Sequence, residues 1–129
     1  MSNSPGYTIG IDIGGANVKA AAVSHAGTVL QRDAMPTGDA DNAWRSTIRD
    51  LVARFEHALG RAESISVCCP GIVAPDGSRV TWMIGRMEGT VGFDFTSHLG
   101  RGEPVLLLND AHAALVAEMW LGAGRGLRD

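Results

Sequence analysis

The chain has 129 residues, of which 45% are hydrophobic, and its formal net charge is −3. This composition supports one packed domain, and the slightly acidic balance excludes the basic field on which non-specific nucleic-acid binding depends. No run of about 18 apolar residues is present, and residues 1–6 are polar and turn-forming. We therefore expect a disordered N-terminus at 1–6, neither a membrane nor a nucleic-acid partner, and a cytoplasmic location.

The two cysteines, Cys68 and Cys69, are adjacent in the chain. Neighbouring side chains of a strand point to opposite faces, so a disulfide between them is not expected. Reduced cysteines fit a reducing compartment such as the cytosol.

The first third of the chain has the pattern of three consecutive strands. Apolar residues alternate with small or polar ones from Tyr7 to Ile13, residues 17–24 form the next candidate strand, and residues 29–35 the third. Turn-forming residues separate the last two, and Pro36 is expected to end the third. The pattern predicts a three-stranded antiparallel meander.

Helices and buried strands alternate in the rest of the chain. A strong helical pattern runs from Trp44 to Leu59, with a cap expected within residues 39–41 and an end at Gly60. The remaining predicted elements are a strand over 64–69, turns at 70–71 and 75–77, an irregular loop over 85–92, a short helix over 93–99, a strand over 105–108 and a helix over 110–121. The order β-β-β-α-β-α-β-α predicts an α/β fold with a mixed five-stranded sheet.

The segment "DIGGANVK" combines Asp12, Gly14, Gly15 and Lys19 at the end of the first strand. The glycines let a backbone approach an anion closely, Lys19 offers a positive charge, and Asp12 could hold a hydrated magnesium ion. The alternative is a plain Gly-Gly hairpin that carries an exposed aspartate.

Two further segments place polar groups at strand ends. Asn109 and Asp110 follow a buried strand, where open α/β sheets bind ligands, although either residue could simply cap the next helix. Pro70 and Gly71 form a rigid turn that could line a pocket or serve only as a turn. The charges of Arg86 and Glu88 lie in the irregular loop and matter only if that loop faces the pocket.

In order and spacing these segments resemble the ROK family of sugar kinases, in particular its glucokinases and polyphosphate glucokinases. The motif at 12–19 is similar to the family's first phosphate motif, residues 70–73 to its Pro-Gly turn, and residues 109–126 to its Asn-Asp helix and the glycine-rich segment after it. The resemblance implies an actin-like ATPase (ribonuclease H-like) N-terminal lobe over 7–122, with 123–129 beginning the crossover to a second lobe.

The same resemblance implies a role for each candidate residue. Asp110 would be the general base, Asp12 would orient Mg²⁺, and Gly14, Gly15 and Lys19 would contact the phosphates of ATP or polyphosphate. Contacts to the sugar or sugar-like polyol would come from the residues at two strand ends and in the loop, namely Pro70, Gly71, Arg86, Glu88 and Asn109. The family's zinc site would not be part of this chain, and the full-length protein would form a homodimer.

Some positions depart from the family pattern. Ala16 replaces a threonine of the phosphate motif, His112 replaces an asparagine, and no asparagine occurs between Val73 and Leu108 to hold a sugar. These departures favour a hexose other than glucose, an amino sugar or a cyclitol. A single lobe is also expected to bind sugar weakly and not to turn over.

Two alternatives to a kinase stay open, and the sequence argues against a third, a repressor. A ribonuclease H-like nuclease has the same order of elements and uses carboxylates to hold two metals, although the acidic charge and the glycine pair argue against it. A ROK-type repressor would need a DNA-binding module, for which the few residues before the first strand leave no room. A non-catalytic sugar-binding module derived from the family stays open, because Ala16 lacks a hydroxyl donor.

Overall fold

The computed structural model describes residues 6–38, 40–83 and 87–109. In chain order its strands and helices are β1 (Tyr7–Ile13), β2 (Asn17–Ser24), β3 (Val29–Pro36), α1 (Trp44–Leu59), β4 (Ser64–Cys69), β5 (Ile72–Val73), β6 (Val80–Trp82), α2 (Phe95–His98) and β7 (Leu106–Asn109). The predicted helix over 110–121, the start at 1–5 and the crossover at 123–129 lie outside these residues.

Five of the strands form one mixed sheet, as the sequence predicts. Its order is β3-β2-β1-β4-β7, and the short strands β5 and β6 pair separately. The first three strands form the predicted antiparallel meander. Strand β4 runs parallel to both β1 and β7, so the carboxyl ends of these three strands lie at the same edge of the sheet.

The two faces of the sheet differ because side chains alternate along each strand. On one face Ile9, Ile11 and Ile13 are at most 2% exposed and belong to the core that includes the apolar stripe of α1. The other face carries small and polar residues, including Asp12, that are exposed or half-buried. Cys69 faces the core and its neighbour Cys68 is only half-buried, and these two side chains form no disulfide.

The start of α1 differs from the prediction. Its N-cap is Ala43, which makes no side-chain capping hydrogen bond, and Asp41 instead lies in a short 3₁₀ turn over 40–42 with a φ of 55°. Asp41 is therefore not the cap, and Asp39 is outside the described residues. The predicted end at Gly60 is confirmed, and this glycine has a φ of 85°, which a residue with a Cβ adopts at a cost.

Strand β3 ends one residue later than predicted. Pro36 pairs with Asn17 and is the last residue of the strand. Since β3 is an edge strand, the missing N–H of proline costs no hydrogen bond within the sheet. The last strand, predicted over 105–108, is shifted by one residue and includes Asn109.

The β5–β6 ribbon was not predicted. The predicted turn at 70–71 precedes β5, and the predicted turn at 75–77 connects β5 to β6. Strands of two and three residues are too short to show a periodic pattern. The short helix predicted over 93–99 is also present, as α2, and the Asp94 side chain caps it by accepting a hydrogen bond from the Ser97 amide.

A buried ion pair ties the end of α1 to the segment before β7. The Arg101 side chain is 1% exposed and donates to both carboxylate oxygens of Glu56, at 2.9 and 3.0 Å. It also donates to the Ala62 carbonyl at 2.8 Å. Nearby, the Tyr7 hydroxyl donates to the Gly60 carbonyl, and burial, with a smaller contribution from the Glu56 carboxylate, raises the pKa of Tyr7. These contacts fix α1 against β1.

None of the helices in the described ranges is long and apolar enough to cross a membrane.

Candidate functional site

The carboxyl ends of β1, β4 and β7 bring two of the predicted site residues to one edge of the sheet. Asp12 lies opposite Cys68, and Asn109 lies opposite Cys69. Only β4 separates their strands, so β1 and β7 are about 10 Å apart at the usual strand spacing. Open α/β sheets bind ligands beyond this edge. Asp110, the predicted base, follows Asn109 and is outside the described residues.

Asp12 and Lys19 are directly opposite each other on β1 and β2. At this register their Cβ atoms are about 5 Å apart and share one face of the sheet. Both residues are exposed, and neither makes an ion pair or a side-chain hydrogen bond within the part of the chain that the structure describes. They line a cleft of about 730 Å³ together with Ser66 and Cys68. The site thus presents an available carboxylate and an available ammonium group side by side.

The turn between β1 and β2 is not an ordinary Gly-Gly hairpin. The tight hairpin turns require a positive φ at the first central residue, and neither Gly14 nor Gly15 has one. Gly14 allows a close approach of the backbone instead, because a Cβ there would lie 3.0 Å from the Asn17 carbonyl oxygen, a tighter contact than Cβ atoms usually make. Gly15 and Ala16 are exposed, and their amides have no acceptor among the described residues. Exposed, unpaired amides of this kind suit an anion.

Thr37 holds this turn from the end of β3. Its hydroxyl donates to the Gly14 carbonyl at 2.7 Å, and its amide donates to the Ala16 carbonyl at 3.0 Å. The side chain is almost fully buried, with 1% exposed. Sequence reasoning missed Thr37, because no motif connects it to a turn that lies 23 positions earlier in the chain.

The Pro70–Gly71 turn and Asn109 contact each other. The Asn109 side-chain amide donates to the Gly71 carbonyl at 2.8 Å. A Cβ on Gly71 would lie 2.7 Å from the Trp82 carbonyl oxygen, so only glycine lets the β5–β6 ribbon approach this closely. The end of β7 and the start of the ribbon therefore form one unit at the carboxyl edge of the sheet.

Glu88 lies in a loop that is anchored to α1. It is exposed and begins a short 3₁₀ turn over 88–90. The Arg45 guanidinium donates to the Gly89 carbonyl at 3.0 Å, and the Thr90 hydroxyl donates to the Met87 carbonyl at 2.7 Å. Arg86 is outside the described residues. The roles of Arg86 and Glu88 toward a sugar stay predictions.

Within the described ranges, three residues other than glycine have a positive φ, and they lie in two loops that contact each other. They are Asp41 and Asn42 before α1, and Met87 in the loop of Glu88, each with a φ of 55° to 57°. The Asn42 side chain occupies the space next to Gly89. Backbone held in this sparsely populated region is frequent at functional sites.

The side chains available as ligands limit which metal ion the carboxyl edge of the sheet could hold. No group of three or more His, Cys, Asp and Glu side chains that could hold a metal occurs in residues 6–38, 40–83 and 87–109. Mg²⁺ keeps several of its waters and binds to one or two carboxylates and to phosphate oxygens. The single exposed carboxylate of Asp12 fits such a hydrated ion and does not fit a metal enclosed by protein.

The sheet order and the charged groups at its carboxyl edge define a lobe of the actin-like ATPase fold. A polyphosphate/ATP-glucomannokinase from Arthrobacter sp. strain KM superposes with a TM-score of 0.80 at 29% identity, over 95% of this chain and 51% of that one. A ROK glucokinase from Streptomyces griseus, solved with glucose and AMPPNP, superposes with a TM-score of 0.76 at 27% identity, over 94% and 38%.

The chain belongs to the ROK family, whose model matches residues 8–129. Its curated relatives include a beta-glucoside kinase from Listeria monocytogenes, 32% identical over 121 residues, which are 92% of this chain and 40% of that kinase. The chain thus spans about two fifths of the length of this relative. The membership confirms the resemblance inferred from the motifs.

Proposed function

We propose that the chain supplies the phosphate-binding lobe of a kinase. The reaction is transfer of a phosphoryl group from ATP or polyphosphate to a hydroxyl group of a hexose or hexose-like substrate. The observation that carries this proposal is the grouping of Asp12, Lys19 and two unpaired turn amides at the carboxyl edge of the sheet. A carboxylate, an ammonium group and free amides together suit a magnesium-bound phosphate chain.

Each group at this edge has a distinct task in the proposed reaction. Lys19 and the amides of Gly15 and Ala16 bind phosphate oxygens, and Asp12 would hold the hydrated Mg²⁺. Gly14, also predicted to contact the phosphates, serves by letting the backbone approach closely, since its own amide donates to the Asn17 carbonyl. The bound ion would neutralise charge that develops on the phosphoryl group. Asp110 accepts the proton of the attacking hydroxyl. Its assignment is supported by the family motif and by its place in the chain, directly after the strand end at Asn109.

The acceptor sugar is proposed to lie beside the unit that Asn109 and Gly71 form. Because the Asn109 amide already donates to the turn, its contribution to sugar binding would come mainly from fixing the backbone at Pro70 and Gly71. Arg86 and Glu88 are the proposed specificity contacts, in place of the asparagine that the chain lacks in this region. The similar kinases are named for glucose, beta-glucosides and glucose with mannose, which supports a hexose-like acceptor without selecting one.

The remaining proposals concern the complete protein. We expect it to act in the cytoplasm as a homodimer, without a nucleic-acid or membrane partner. The lobe is expected to need a second lobe for turnover.

The proposed base is tested by Asp110→Asn in the full protein, with MgATP and then polyphosphate as donor and a panel of hexoses, amino sugars and cyclitols as acceptor. Loss of a general base lowers the rate by about 10²–10⁴-fold, with little change in KM for the sugar. Asp50→Asn, on the exposed side of α1, is the matched control and should leave the rate unchanged. Turnover by Asp110→Asn at the rate of the control would contradict the assignment of the base.

A further inference from the structure

We infer that Thr37 is a positioning residue that orients the phosphate-binding turn. The inference rests on the proposed function, because it concerns the same site. Thr37 does not touch the phosphate itself. It acts on Gly14 and Ala16, whose carbonyls accept its two hydrogen bonds.

The turn between β1 and β2 departs from a regular hairpin. In an antiparallel pair that closes such a hairpin, the two residues exchange two N–H···O bonds. Here the Gly14 amide donates to the Asn17 carbonyl at 3.0 Å, but the return bond is replaced. The Gly14 carbonyl accepts from the Thr37 hydroxyl at 2.7 Å. Thr37 has taken the place of a backbone donor.

The planar geometry of the peptide unit sets the direction of two amides in the turn. A trans peptide is planar, so its C=O and N–H groups point in opposite directions. The Gly14 carbonyl points toward buried Thr37, and the Gly15 amide of the same peptide therefore points away from Thr37. Likewise the Ala16 carbonyl points toward the Thr37 amide, so the Asn17 amide points the other way. One residue fixes the direction of two N–H groups.

Ala16 lacks the hydroxyl that the threonine of the family's phosphate motif would supply. Thr37 cannot replace it as a ligand, because its own hydroxyl is buried and committed to Gly14. Binding by this turn therefore depends on amides, and amides bind an anion well only when their direction is fixed before the anion arrives. The Thr37 hydroxyl supplies that fixed direction for the Gly15 amide.

The matched variants are Thr37→Val, which removes the hydroxyl and keeps the shape, and Thr37→Ser, which keeps the hydroxyl. Thr96→Val is the control for loss of a threonine–backbone hydrogen bond elsewhere, since the Thr96 hydroxyl accepts from the Val105 amide at 2.9 Å. Lys19→Met tests the phosphate site as such. If Thr37→Val fails to fold, Thr37→Ala replaces it with the same expected outcomes.

Amide NMR spectra of the 129-residue chain are recorded during titration with magnesium tripolyphosphate and, separately, with MgATP. In the wild type the resonances of the proposed ligand amides, Gly15 and Ala16, and of Asn17 should shift and saturate. Loss of the orienting hydrogen bond should weaken binding about threefold to tenfold in Thr37→Val. Thr37→Ser should bind like the wild type, and Thr96→Val should lose stability without losing affinity.

Each outcome separates this inference from the proposed function. Wild-type affinity in Thr37→Val, with weaker binding in Lys19→Met, overturns the role of Thr37 and leaves the phosphate site intact. No shift at Gly15, Ala16 and Asn17 in the wild type overturns both. A loss in Thr37→Val that is confined to one of the two probes supports the role and identifies the phosphoryl donor that uses this turn.

Discussion

At the scale of single residues, Gly14 shows that a glycine can be required for space and not for its backbone angle. Its φ is not positive, so another residue could adopt the same backbone conformation. A Cβ would nevertheless lie 3.0 Å from the Asn17 carbonyl oxygen, and that carbonyl already accepts from the Gly14 amide. Relief of this contact would therefore strain that hydrogen bond.

We therefore predict that Gly14→Ala destabilises the fold by about 1 kcal/mol, the usual cost of a strained substitution. Gly102→Ala is the matched control, because nothing lies within 4 Å of its Cβ position and its φ is not positive. This control should be neutral or stabilising by up to about 1 kcal/mol, since alanine restricts the unfolded chain. Urea unfolding measures both free energies, and an equal effect of the two substitutions would show that the space at Gly14 is not limiting.

The single residues of the site differ in how far the sequence could predict them. Asp12, Gly14 and Lys19 lie within one short motif, so their grouping follows from local spacing and from strand pairing. Thr37 and Arg45 act through backbone carbonyls of distant segments. Such contacts depend on the packing of loops, for which the sequence has no periodic signal.

At the scale of elements, the end of α1 depends on one buried charge pair. The Arg101 side chain is 1% exposed, and removal of the Glu56 charge would leave it with only the Glu103 carboxylate, which is 3.4 Å from its Nε and 41% exposed. A second pair, Arg54 with Asp33, has the same chemistry at the surface, with 53% and 27% of the side chains exposed. The Arg54 hydrogen bond is the main cause of the lowered pKa of Asp33. Burial is the main difference between the two pairs.

Glu56→Gln is predicted to cost about 1–3 kcal/mol, because Arg101 then keeps only the more exposed Glu103 carboxylate, 3.4 Å from its Nε, as a charged partner. Asp33→Asn, the same change at the exposed pair, should cost about 0–1 kcal/mol. Thermal and urea unfolding of both variants test this prediction. Similar costs for the two pairs would mean that water reaches Arg101 and that the pair does not hold the end of α1.

The strands and helices also differ in how well the sequence predicts them. Strands β1 and β2 and helix α1 have long periodic patterns, and the bounds of β1 and β2 agree with the prediction. The prediction that a residue within 39–41 caps α1 was wrong, because Ala43, which has no side-chain capping group, occupies the N-cap position. The β5–β6 ribbon was missed because its strands are too short to alternate. Pairing across space, and not local preference, creates this ribbon.

At the scale of the whole molecule, the described sheet provides only one wall of the proposed reaction site. Asp12 and Lys19 are exposed at its edge, and the chain spans about 40% of the length of its beta-glucoside kinase relative. Phosphoryl transfer to a sugar competes with transfer to water, and enzymes prevent this by closing the site. The proposed phosphate-binding turn is exposed in the described structure, and an open site of this kind cannot exclude water.

We therefore predict that the 129-residue chain binds sugar weakly at most and does not turn over, whereas a form extended by a second lobe phosphorylates sugar. Sugar phosphorylation and donor hydrolysis are measured side by side for the two forms, with MgATP and with polyphosphate. Lys19→Met in the extended form is the control, since it should lower both activities if they use the same phosphate site. Comparable phosphorylation by the short form would mean that water exclusion does not require two lobes, because the edge of this sheet would then be sufficient for catalysis.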